Sequence, residues 1–215
     1  MTDEAPPDAG GEPTKPNIAV AMLVQFAIFV VGGVALWTMS GRRAEDLLRF
    51  DAAEILGGIA MAGALIAAFA ALCTIFPRFR DTIVDWQRDS FDFLGSWPGW
   101  PLIALISFCA GVGEELLFRV GLQTYLAGWI GVYAAIGVAS AAFALMHLAK
   151  PPLAAMIFAI GVVFGTVYHL TGSFVIVAIG HALYDLWALP YLLRELRRTG
   201  ASETEPALAN SAGDA

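Results

Sequence analysis

Three short runs contain most of the ionisable side chains that lie within apolar parts of the sequence. The first run, GVGEELLFRVG, covers residues 111–121 and contains Glu114, Glu115 and Arg119. If it is helical, Glu115 and Arg119 are four residues apart in the order that favours an ion pair, and Glu114 points about 100° away. Glu114 then lacks a local counter-ion, and a carboxylate left unpaired in an apolar site is suited to general-base catalysis.

The other two runs supply histidines and a further acid. His147 ends the apolar part of FALMHLAKPP, and His181 lies four residues before Asp185 in IGHALYDLW. An ionisable side chain at membrane depth costs roughly 2.5–3.5 kcal/mol on insertion scales, so each one needs a partner or a task. A single shared site accounts for all of them, and it predicts hydrolysis in which Glu114 takes a proton from an attacking water.

Other candidate residues receive structural interpretations. His169, in VYHLTG, lies at the end of an apolar segment and is expected to bond within the bundle or at the interface. Cys73 and Cys109 lie in apolar runs, where free thiols behave as small hydrophobic groups. Neither Ser107 nor Cys109 is part of a nucleophile pattern, so covalent catalysis is not predicted.

The same residues resemble the motifs of one family. EELLFR resembles EExxxR, FALMH resembles FxxxH, and HALYD resembles HxxxN/D of the CAAX protease and bacteriocin-processing (CPBP or Abi) family of intramembrane glutamic endopeptidases. The three motifs occur in the family's order, over roughly residues 100 to 190. The resemblance implies that Glu114 activates water, that His147 helps to orient or activate it, and that Glu115 and Arg119 are the supporting acid and base.

His181 and Asp185 correspond to the pair that stabilises the oxyanion of the tetrahedral intermediate in this family. Where members have asparagine, its amide donates a hydrogen bond, but this chain has Asp185. An ionised aspartate only accepts, so Asp185 either orients His181 or is kept neutral by apolar surroundings, and we favour the first interpretation.

The composition places these residues in a membrane protein. Hydrophobic residues make up 58% of the 215, charged residues make up 14%, and the mean hydropathy is +0.70, outside the usual range of soluble domains. Apolar segments near the ~20 residues needed to cross the hydrocarbon core occur at roughly 18–39, 52–76, 101–127, 129–147, 153–170 and 173–193.

We therefore predict an all-α, polytopic membrane bundle of about six transmembrane helices, because continuous spans in lipid must satisfy their own backbone groups. The third segment is expected to be irregular, since it is long and carries charges in its middle. Residues 1–16 and 199–215 are rich in Pro, Gly, Ser and acids and are predicted to be disordered tails. The membrane domain is then 17–198, with a catalytic core of about 100–190.

The basic residues favour a topology with both tails in the cytoplasm. The chain is expected in the inner membrane as a multi-pass protein, with membrane lipid and a peptide or protein substrate as partners, no nucleic acid and no cofactor. The predicted cytoplasmic side contains Lys15, Arg78, Arg80, Arg88, Lys150, Arg194, Arg197 and Arg198, and the other side contains Arg42, Arg43 and Arg49.

Three alternatives stay open at this level. A zinc-activated water uses similar ligands, although HExxH is absent and the two histidines lie on different segments. A non-catalytic peptide-binding, immunity or assembly protein could use the same polar cluster. A proton-coupled transporter is disfavoured because no internal repeat is visible. Neither the substrate, a prenyl-binding groove nor the oligomeric state is indicated by the sequence.

Overall fold

The structure is a computed structural model that describes residues 17–43, 47, 51–91 and 98–212. All regular secondary structure in those ranges is helical, which confirms the predicted all-α fold class. The third span alone contains two π-helical stretches, π1 and π2. In chain order the elements are α1 (Ile18–Met39), α2 (Ala52–Ile75), α3 (Pro77–Phe91), α4 (Trp100–Phe108), π1 (Cys109–Glu114), π2 (Leu116–Gln123), α5 (Thr124–Ile130), α6 (Val132–Met146), α7 (Pro151–Thr171) and α8 (Phe174–Ala212).

Five helical stretches within the described part of the chain are long and apolar enough to cross a membrane, and a sixth is shorter. The shorter one, α6, has 15 residues and rises about 22 Å, less than the ~30 Å hydrocarbon core. It ends just before His147, so this side chain lies at the end of α6 and is exposed. Together the six elements form a multi-pass membrane protein. The five long spans are Ile18–Met39, Ala52–Ile75, Trp100–Ile130, Pro151–Thr171 and Phe174–Arg198.

Two apolar core clusters mark the two ends of the bundle. One contains Trp37, Tyr168 and Phe174, from the end of α1, the end of α7 and the start of α8. The other contains Phe69, Ile83, Leu153 and Leu192, from α2, α3, the start of α7 and the later part of α8. We call the second the α3 end and the first the far end.

Helix α3 was not predicted from the sequence. It is an amphipathic helix that follows α2 and buries Ile83 and Val84 against the α3-end cluster. Its composition, with three arginines beside this narrow apolar face, is typical of a helix that lies at the membrane interface.

The third span, Trp100–Ile130, is irregular as predicted. It changes from α to π geometry at Cys109 and returns to α geometry at Thr124. In π-helix the backbone bonds run from i to i+5, and such turns are frequent at functional sites. The charged run 111–121 lies within these turns, so its side chains are spaced differently around the axis from those of a regular α-helix.

Glycines allow this span to approach its neighbours closely. A Cβ on Gly33 of α1 would lie 2.5 Å from the carbonyl oxygen of Leu116, and a Cβ on Gly111 would lie 2.6 Å from the nitrogen of Ala182 in α8. Both distances are too short for any side chain, so these helices pack backbone against backbone. The second contact brings α8 against the run that carries the two glutamates.

The structure describes part of one predicted tail and none of the other. Residues 1–16 lie outside them. The backbone of α8 continues as helix to Ala212, into the segment 199–215 that the composition predicts to be disordered. The boundaries of the membrane domain stay a prediction.

Candidate active site

Glu115 lies at the centre of a buried charged cluster. Its Oε1 accepts a hydrogen bond from His181 Nδ1 at 2.9 Å, and its Oε2 lies 3.3 Å from Arg119 Nε. Glu115 and Arg119 are fully buried, and His181 is 7% exposed. The Glu115–Arg119 pair follows from their spacing of four residues, whereas the contact with His181 comes from the packing of α8 against π1.

Two phenylalanines surround the Arg119 guanidinium. Its Cζ is 4.6 Å from the ring centroid of Phe143 and 5.8 Å from that of Phe164. Aromatic faces attract cations, most strongly in desolvated sites, so both rings help to stabilise a charge held away from water. The sequence motifs gave no indication of this role. Phe143 is the first residue of FALMH, but Phe164 belongs to no motif.

The second nitrogen of His181 faces two further carboxylates. His181 Nε2 lies 3.5 Å from Asp185 Oδ2 and 4.0 Å from Glu114 Oε2. A carboxylate only accepts hydrogen bonds, so a ring that donates from Nδ1 to Glu115 would direct a bare Nε2 lone pair at these oxygens. A ring protonated on both nitrogens donates to Glu115 from Nδ1 and turns an N–H, not a lone pair, towards the other two carboxylates, and with Arg119 it balances most of the negative charge.

His147 makes a different kind of contact. Its Nδ1 is 2.8 Å from the carbonyl oxygen of Phe143, four residues earlier. Because a carbonyl cannot donate, Nδ1 carries the hydrogen, and Nε2 of the neutral ring is left as an acceptor. The two histidines are therefore prepared for opposite tasks: His147 can accept a proton, and His181 can donate a hydrogen bond.

Glu114 and His147 share a small, partly open cavity of about 100 Å³. Within the part of the chain that the structure describes, Glu114 Oε2 is buried without a hydrogen-bond partner. A water occupies roughly 10–15 Å³ of probe volume and needs polar neighbours, so this cavity has room for one or more waters beside both side chains. Its other lining residues are Gln25, Phe29, Phe118 and Met146.

A larger groove of about 340 Å³ begins at His147 from the other side. His181 and Asp185 line it together with His147, and apolar side chains of α7 and α8 form most of the remaining wall. Gln87 of α3 also lines it, so the groove extends towards the α3 end. His147 thus lies between a cavity suited to water and a groove suited to an extended apolar segment.

Other ionisable residues of the apolar segments are not brought to this cluster. Glu54 lies in the first turn of α2. His169 lies in the last turn of α7 with its ring against Tyr133, and Tyr133 is at the start of α6 whereas His147 follows its end, about 21 Å away along the helix. Cys73 and Cys109 are buried free thiols. No group of three or more His, Cys, Asp or Glu residues in the described ranges is arranged to hold a metal ion.

Comparison with known proteins gives one match. The family model described as type II CAAX prenyl endopeptidase, Rce1-like, matches residues 95–187. This range contains all three motifs, and the match confirms the resemblance found in the sequence. Neither the curated proteins nor the solved structures gave a match.

Proposed function

Because residues 95–187 place the chain in the Rce1-like family of CAAX prenyl endopeptidases, we propose that it is an intramembrane endopeptidase whose water is activated by Glu114. Membership of the family implies the activity of a multi-pass membrane protease. The assignment of Glu114 depends on one observation: Glu114 lines a small pocket together with His147, and its Oε2 is buried without a hydrogen bond among the described residues.

An unpartnered buried carboxylate oxygen is costly, because desolvation is not repaid by any hydrogen bond. A water in the cavity of about 100 Å³ supplies the missing donor. His147 Nε2 is the acceptor that the Phe143 carbonyl leaves available, so it holds the second hydrogen of that water. The water is then oriented by Glu114 and His147 before any substrate enters.

The reaction is a general-base hydrolysis. Glu114 takes a proton as the water oxygen attacks the scissile carbonyl carbon. The carbon becomes tetrahedral, and negative charge develops on the carbonyl oxygen. His181 Nε2–H lies on the groove side of the cluster and stabilises that oxyanion. When the C–N bond breaks, the proton on Glu114 passes to the leaving amine, and the carboxylate is restored.

Asp185 has a positioning role in this scheme. As an ionised acceptor 3.5 Å from His181 Nε2, it holds the ring from the groove side while Glu115 holds it at Nδ1 from the protein side. Loss of one oxyanion donor typically lowers the rate by ~10²–10³. Holding the His181 ring in place therefore outweighs the unfavourable burial of a third carboxylate, that of Asp185.

The substrate is a peptide or protein that is cut near its C-terminus or beside the membrane. The groove of about 340 Å³ is mostly apolar along α7 and α8, which suits a hydrophobic segment that enters from the α3 end. Basic side chains concentrate at that same end, in α3, at Lys150 and along α8, and Arg42 and Arg43 follow α1 at the far end. The positive-inside tendency therefore supports an inner-membrane protein with the α3 end in the cytoplasm.

The test is comparative proteomics of cells that express the chain or its Glu114→Gln variant. We expect a C-terminal or juxtamembrane cleavage product only with the unmodified protein, because glutamine cannot take the proton. Glu54→Gln is the matched control, since it makes the same change in another membrane-segment glutamate outside the cluster. If Glu114→Gln, at equal abundance, leaves the products and the cellular phenotype unchanged, Glu114 is not the base; if no product depends on the chain at all, the chain is a non-catalytic peptide-binding protein.

A further inference from the structure

A second large cavity lies at the far end of the bundle. It has a volume of about 710 Å³ and is formed by the ends of α1, π2, α5 and α7 with the start of α6. Ligand sites commonly occupy ~300–1,000 Å³. We call it the far-end cup. It shares no lining residue with the cavity of Glu114 or with the substrate groove.

Among the described residues of its wall, the far-end cup contains a cationic side chain and no acidic one. Arg42 lines it, with Cζ 5.7 Å from the ring centroid of Trp37. None of the described residues that form the wall is acidic. A low-dielectric concavity that contains a cation and no carboxylate attracts anions.

Buried polar atoms are also present in the wall. Gln123 is only 4% exposed, and its Nε2 donates to the carbonyl oxygen of Gly165 at 2.9 Å. Its Oε1 has no hydrogen-bond partner in the described ranges. The Tyr168 hydroxyl lies 3.5 Å from Thr124 Oγ1. The two hydroxyl groups can donate to a polar ligand or accept from it, and Gln123 Oε1 is a buried acceptor beside them.

Aromatic side chains place the cup at the level of lipid headgroups. Trp129 and Tyr125 line it, and Trp129 is 75% exposed and the adjacent Tyr133 is 85% exposed. Exposed tryptophan and tyrosine at the end of a membrane helix are typical of the interfacial aromatic belt. A phosphate at this depth would lie within reach of Arg42.

We propose that the far-end cup is a binding site for the headgroup of an anionic phospholipid, with Arg42 on the phosphate and the hydroxyl groups of Thr124 and Tyr168 in the wall beside the headgroup. The preference for an anionic lipid follows from the wall, because none of its described residues offers a carboxylate to the ammonium of a zwitterionic headgroup. The inference is independent of the proposed peptidase activity, since it uses other residues at the opposite end of the bundle.

The experiment is a titration of the purified full chain with phosphatidylglycerol or phosphatidylcholine, followed by native mass spectrometry. We expect one phosphatidylglycerol to be held more tightly than phosphatidylcholine. Arg42→Gln should weaken it about tenfold, as loss of a charge-assisted hydrogen bond predicts. Gly128→Leu should also prevent binding, because Gly128 lines the cup and a Cβ there meets no atom within 4 Å.

Arg43→Gln is the matched control, since it removes the same charge from the next residue, which does not line the cup. It should change affinity by less than about threefold, as is usual for a surface charge that does not line the binding site. Equal affinities in all four proteins, or equal retention of the two lipids, would overturn the proposal. Displacement of the lipid by millimolar inorganic phosphate, with the same dependence on Arg42, would overturn the assignment to a lipid and leave a free phosphate as the ligand.

Discussion

Gly111 controls the distance between the two glutamates and His181. In Gly111→Ala, the new Cβ would lie 2.6 Å from both the Cβ and the nitrogen of Ala182, and 2.8 Å from the carbonyl oxygen of Ala178. Non-bonded carbon contacts are comfortable at ~3.5–4.0 Å, so α8 must move away by about 1 Å. His181 precedes Ala182 and moves with it, and a misplacement of this size in an active site can cost ~10²-fold in rate.

The assay measures the initial rate at which the substrate identified by proteomics is cleaved in liposomes. Thermal unfolding of each variant is measured in parallel. Gly137→Ala is the control, because a Cβ there meets nothing within 4 Å. Adding Ala182→Gly to Gly111→Ala should restore little activity, since two of the three nearest atoms belong to the backbone of α8. Cleavage by Gly111→Ala within about threefold of the unmodified rate would refute the requirement for this precise approach.

Three further predictions concern the cluster itself. Asp185→Asn keeps an acceptor for His181 and adds a donor, so it should retain cleavage within about tenfold, whereas Asp185→Leu should lose ~10²-fold or more; equal rates for the two variants would exclude a positioning role. Arg119→Leu leaves the buried carboxylate of Glu115 without its arginine and should lower the free energy of unfolding in detergent by ~3–5 kcal/mol. The double variant Arg119→Leu, Glu115→Gln should be destabilised by less than the sum of the two single changes. Cleavage should persist in a strong zinc chelator, measured with the same liposome assay, and its complete loss with recovery on adding zinc would assign the water to a metal instead.

The helices and the local pairs of this chain could be predicted because each depends on neighbouring residues. The apolar segment 18–39 corresponds to α1, Ile18–Met39, since hydropathy and length determine a membrane span. The pairing of Glu115 with Arg119 and of His181 with Asp185 follows from a spacing of four residues. Local rules of this kind apply wherever the chain is helical.

The tertiary arrangement could not be predicted in the same way. The sequence assigned His181 to the oxyanion side only, but in the structure it contacts Glu115 and approaches Glu114 as well. Those contacts depend on how closely α8 packs against Gly111, and on π-helical backbone bonds that hydropathy does not reveal. The position of His147 at the end of the short helix α6 depends in turn on where the chain turns.

The surroundings of the two histidines argue for catalysis over simple peptide binding. A binding protein has little reason to leave Glu114 Oε2 buried without a hydrogen bond among the described residues, since an unsatisfied buried acceptor costs about 1–3 kcal/mol. It also has no reason to fix His147 as an acceptor through the Phe143 carbonyl while His181 is surrounded by carboxylates. In the proposed hydrolysis both features are required, because the proton leaves water on one side of the scissile carbonyl and negative charge develops on the other. The orphaned oxygen is then the place where the substrate water binds, and its cost is offset when that water is present.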